Sequence, residues 1–123
     1  MLRYSNDGFP KVVDYLYDHF DEFKLLLTSG ENSVYQEFIH RVVELDTECT
    51  VKYIEASGND AITSGRLTPE LNHLLSSAFY TGMFEVIIHD MPKAQALEHI
   101  RKMRRFYTAG WQTIFSTDGG DVV

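Results

Sequence analysis

The chain contains three prolines, Pro10, Pro69 and Pro92, and each heads a stretch in which apolar residues recur three and four positions apart. Proline in the first turn of a helix has its φ already set and lacks only an N–H that would find no partner there; deeper in, it breaks the helix. The placement therefore prescribes helices with defined starts. Asp7-Gly8-Phe9-Pro10 opens the first, with Phe9, Val13, Leu16, Phe20, Phe23 and Leu27 along one face. The polar group His19, Asp21 and Glu22 inside this segment predicts a kink, and Gly30 a C-terminal stop. Ser33-Val34-Tyr35-Gln36 fits a capping box, and Tyr35, Phe38, Val42, Leu45 and Cys49 carry a second helix to about Ala56. Gly58, Asn59, Asp60, Ser64 and Gly65 mark a linker between Ser57 and Leu67. Thr68-Pro69-Glu70 supplies a cap, a first-turn proline and an acid at the positive end of a third helix, which runs to Ile88. After Pro92, the spacing of Leu97, Ile100, Met103, Tyr107, Trp111 and Ile114 predicts a fourth helix to about Phe115.

The expected fold is all-α, an antiparallel helical bundle in one domain spanning 1–123. The last two helices, each about 22 residues and roughly 33 Å long, are joined by a turn too short for anything except a hairpin. Leu71, Leu74, Leu75, Ala78, Phe79, Gly82, Met83, Val86 and Ile87 make the third helix apolar over more than one partner would cover. Small residues at Ala78 and Gly82, and at Ala109 and Gly110, allow close approach of helix axes. Together these features predict a homodimer in which the hairpins of two copies form a four-helix seam about a two-fold axis.

Composition narrows the function. Eleven Lys and Arg against eighteen Asp and Glu give a formal charge of −7, unsuited to holding a phosphate backbone alone. The longest purely aliphatic runs, Leu25 to Leu27 and Val86 to Ile88, fall far short of the roughly 20 residues of a membrane-spanning helix. Met1-Leu2-Arg3-Tyr4-Ser5 has no apolar leader, and the single cysteine, Cys49, suits a reducing compartment, so the expected location is the cytoplasm, with no membrane partner.

The sharpest enzyme signal is a duplicated Glu-x-x-His, Glu37 with His40 and Glu70 with His73, the spacing by which helical bundles hold two metal ions. Both pairs fall on the polar side of their helices, whereas core ligands must point inward; a helical, di-iron-like metal enzyme is thus the alternative, and the main reading has no metal, cofactor or catalytic residue. Glu85 and His89 read as a surface pair, and Cys49, on the apolar stripe of its helix, as a small buried hydrophobe. Arg101, Lys102, Arg104 and Arg105 concentrate cations on the polar side of the fourth helix and read as a solvated face. Aromatic residues are 13% of the chain and crowd the first two helices, where they could line a cavity between the helix pairs.

The run Ala78-Phe79, Gly82, Glu85, His89-Asp90-Met91, Ala96, Phe106 and Gly110-Trp111 resembles the last two helices of TetR-type transcriptional regulators. Tyr15 through Leu27 resembles the segment that opens the ligand-binding domain of that family, and Tyr35-Gln36-Glu37-Phe38 the helix after it, so that the likeness covers roughly residues 9 to 115. The resemblance implies an effector-binding and dimerisation domain, not an enzyme. It implies that operator DNA is read by a separate N-terminal helix-turn-helix of about fifty residues, absent from this chain. The matched positions Ala78, Gly82, Met83 and Val86, with Met103, Phe106, Gly110 and Trp111, would form the dimer seam. Aromatic chemistry and helix position make Phe20, Phe23, Tyr35, Phe38 and Tyr80 the candidate pocket residues, and the effector a neutral or cationic lipophilic molecule. A third possibility is a dimeric interaction module that binds no ligand.

Overall fold

The computed structural model describes residues 8–28 and 32–116. They form five α-helices, α1 (Gly8–Asp18), α2 (Phe20–Thr28), α3 (Asn32–Ser57), α4 (Pro69–Ile88) and α5 (Lys93–Phe115), with no strand among the described residues. The first expected segment is two helices parted at His19. Its amide still donates to the Tyr15 carbonyl at 3.2 Å and its carbonyl accepts from the Phe23 amide at 3.0 Å, so the break is a kink in a hydrogen-bonded path, within the polar group that predicted it. The expected cap at Asp7 and stop at Gly30 lie outside the described residues, as does the side chain of Ser33; α3 begins one residue before it.

α4 is the central helix, with α2, α3 and α5 packed on it. Its buried side chains include Asn72, Ser76, Phe79, Tyr80, Met83, Phe84, Val86 and Ile87, more than one stripe could hold. Much of the breadth that suggested a second copy is therefore covered by this chain's own helices. Around the C-terminal half of α4, Val13, Leu16, Leu27, Val43, Ala96 and Ile100 complete the main core. A second cluster, Ile54, Ala61, Leu67 and Trp111, lies where the ends of α3 and α5 meet the connecting loop. No helix among the described residues is long and apolar enough to cross a membrane.

Two connections fix the arrangement. At the end of α4, the Asp90 amide donates to Ile87 at 3.1 Å and the Met91 amide to Val86 at 2.9 Å, a Schellman ending with Asp90 at φ 55° where glycine is usual. Three side chains from the α1–α2 arm hold this turn. The Tyr17 hydroxyl donates to the Met91 carbonyl at 2.7 Å, and burial raises its pKa, which keeps it a donor. The Lys24 ammonium donates to the Ile88 carbonyl at 2.6 Å and pairs with Asp90 at 3.0 Å, while Asp14 pairs with Lys93 at 2.8 Å.

After α3, the loop folds back on the end of α5. Gly58, at φ +73°, ends α3 in the left-handed conformation that its missing Cβ permits. Asn59 accepts from the Ala61 amide at 2.8 Å and donates to the Phe115 carbonyl at 3.0 Å; Arg66 donates through Nε to the Ile114 carbonyl at 2.8 Å and pairs with Asp60. These donors satisfy carbonyls that the last turn of α5 cannot use itself.

Candidate functional site

The α3–α4 interface is more polar than its apolar periodicity predicts. Val43, Asp46, Thr50 and Ile54 form the buried line of α3, whereas Leu45 and Cys49 are exposed. The expected burial of Cys49 is therefore corrected: Asp46 and Thr50 take the buried positions, Asp46 because α4 provides donors for it and Thr50 because its hydroxyl bonds back within α3. Asp46 accepts from the Ser76 hydroxyl at 2.8 Å and the Tyr80 hydroxyl at 3.3 Å, and Thr50 donates to the Asp46 carbonyl at 3.0 Å. Ser76 and Tyr80, with Asn72, recur every fourth residue, so α4 carries a polar line inside its broad apolar face. That i, i+4, i+8 repeat, opposite Asp46 and Thr50, is the signal the apolar spacing concealed.

Beside this interface lies a groove of about 540 Å³, bounded by the C-terminal half of α3, the connecting loop and the first turn of α4. Val51, Ile62, Leu67 and Pro69 give it apolar walls, Thr47, Thr68 and Asn72 its uncharged polar groups, and Glu48, Lys52 and Glu55 a charged rim along α3. The volume suits a drug-sized molecule, and apolar walls with a few polar groups are the usual character of such sites. Thr68 caps α4, its hydroxyl accepting from the Leu71 amide at 3.1 Å, so the wall at Pro69 is firmly placed.

The five aromatic candidates come together elsewhere. Tyr80 is buried, and Phe20, Phe23, Tyr35 and Phe38 pack half-buried against the main core. Ring centroids lie 6.2 Å apart for Phe23 and Phe38, and 5.4 Å for Phe38 and Phe84, spacings of an interlocked aromatic layer. None of the five lines the groove. Its location depends on the loop between Gly58 and Thr68 closing over α3, a long-range contact that periodicity does not encode.

The expected seam residues fall into three groups. Met83, Val86 and Trp111 are buried within the chain. Gly82 and Met103 are half-buried and face each other, since a Cβ on Gly82 would stand 3.0 Å from Met103 Cε. Ala78, Phe106 and Gly110 are exposed, joined by Leu74 on α4; Phe106 is 76% and Leu74 63% exposed. Phe79 and Tyr107, 5.2 Å apart edge to face, lock the two helices just inside this outer face.

Glu37, His40, Glu70 and His73 are all exposed. The His40 and His73 rings lie 6.5 Å apart, but no group of three or more His, Cys, Asp or Glu able to hold a metal ion occurs among the described residues. Glu85 and His89 pair on the surface at 3.1 Å. Arg101, Lys102 and Arg105 are exposed on α5, with Lys102 paired to Glu98 at 3.4 Å. Comparison with family models, curated proteins and solved structures finds no match to this chain.

Proposed function

We propose that the chain is the effector-binding and homodimerisation domain of a TetR-like transcriptional regulator, in which a small molecule in the α3–α4 groove alters operator binding by a separate helix-turn-helix. The observation that carries this reading is the outer face of the α4–α5 hairpin. Phe106 and Leu74, 76% and 63% exposed, stand among the small exposed residues Ala78 and Gly110. Large apolar side chains beside small ones suit a second helix pair, because the small positions admit close approach and the large ones fill the hole. A two-fold arrangement satisfies both copies with the same residues.

The groove supplies the second half of the reading. A ligand binding more tightly to one arrangement of α3 against α4 would shift the dimer toward it, and by linkage operator binding would shift with it. No bond needs to be made or broken. Native mass spectrometry is the direct test, with a species of twice the 14.2 kDa chain mass expected and a monomer alone contradicting the proposal.

A further inference from the structure

One residue lining the groove holds an acceptor that nothing among the described residues answers. Asn72 is 2% exposed, and its Nδ2 donates to the Thr47 carbonyl across the α3–α4 interface at 3.3 Å. A carbonyl can only accept, so this contact fixes which end of the amide faces α3. The remaining atom, Oδ1, is buried without a hydrogen-bond partner among the described residues. Buried polar atoms in native proteins are nearly all paired, and one on a residue that lines a groove calls for a donor from outside the chain.

The surroundings also select charge. A helix start ordinarily attracts anions through free N–H groups. Here Pro69 has none, the Leu71 amide is taken by the Thr68 hydroxyl, and the Asn72 amide by the Thr68 carbonyl at 3.0 Å. Glu48 and Glu55 outnumber Lys52 on the rim, and Glu70 stands in the same first turn of α4. An anion would meet repulsion with little hydrogen bonding in return.

We propose that the groove takes a small, mainly apolar molecule, neutral or cationic, whose N–H or O–H group donates to Asn72 Oδ1. This rests on the effector-binding reading and adds to its neutral or cationic lipophilic effector a donor group and an anchoring atom. Less than 1 Å² of Oδ1 is exposed, so the donor reaches it only as the lining side chains part. Asn72 bridges α3 and α4, and binding there acts on the contact between the two helices.

The test is calorimetric titration with three probes of one shape: 4-tert-butylphenol, its methyl ether 4-tert-butylanisole, and 4-tert-butylbenzoate. The phenol should bind, with the ether and the benzoate about tenfold weaker or worse, as expected for the loss of a buried hydrogen bond. Asn72→Leu should bind phenol and ether alike. Val51→Trp fills the groove while keeping Asn72 and should abolish binding of all three, which keeps the test decisive if Asn72→Leu does not fold. Equal binding of phenol and ether by the wild type, retained preference in Asn72→Leu, unchanged binding in Val51→Trp, or no binding by any probe would overturn the proposal. Dimer mass is read separately. A dimer indifferent to the probes rejects this ligand class alone, whereas a monomer that binds the phenol rejects the regulator reading alone.

Discussion

Asp46 shows how a single position can reverse an apolar pattern. Its side chain collects the Ser76 and Tyr80 hydroxyls, so the buried line of α3 runs through Asp46 and Thr50 and leaves Leu45 exposed. A sequence reader scoring apolarity places Leu45 and Cys49 inside, because the donors that make Asp46 acceptable sit about thirty residues away. Asp46→Ala would remove the acceptor that those hydroxyls share and should lower stability by about 2 kcal/mol in denaturant titrations; a change within about 0.5 kcal/mol would mean the network adds nothing. Asp60 gives a pH dependence. Its hydrogen bond from Arg66, and then the nearby guanidinium charge, hold its pKa below the usual carboxyl value. The folded pKa lies below the unfolded one, so the contribution is present above the unfolded value and lost as pH falls through the folded one. Asp60→Asn should flatten the acid side of the plot of Tm against pH, and an unaltered acid side would show that the pair does not contribute.

At the scale of elements, prolines and turn residues made most boundaries legible. Thr68-Pro69 and Pro92 mark the starts of α4 and α5, and the polar group at His19 lies where α1 and α2 part. These signals are local, which is why they survive without knowledge of the fold. The groove was not legible in the same way. Its walls belong to α3, to α4 and to a loop held in place by Asn59 and Arg66 on the last carbonyls of α5. Arg66→Ala should release that end. Hydrogen exchange should show the final turn of α5 and the amides of 59–67 exchanging faster, with a stability loss of about 1–2 kcal/mol. Unchanged protection would mean that the Ile54, Ala61, Leu67 and Trp111 cluster holds the loop without help.

For the whole molecule, one helix is both enclosed and exposed. α4 is enclosed by α2, α3 and α5 over its C-terminal half, yet shows Leu74 and Ala78 toward its start, beside exposed Phe106 and Gly110 of α5. The breadth of apolar residues in its sequence sums a central position in the chain and, on the proposed reading, a place in the seam between copies. Periodicity could not separate the two. Met83 and Val86 spend their burial within the chain, while Leu74, not counted among the expected seam positions, is the most exposed large apolar residue of α4.

Sedimentation equilibrium over a dilution series, on the wild type, on Phe106→Glu and on Leu25→Glu, tests the central claim most directly. Leu25 is 69% exposed on α2, an element outside the α4–α5 hairpin, and controls for the loss of any exposed apolar side chain. The account predicts a dimer for the wild type and for Leu25→Glu, and a monomer for Phe106→Glu because two buried carboxylates would face a desolvated seam. A wild-type monomer at every concentration, or a Phe106→Glu chain as dimeric as the wild type, would contradict it.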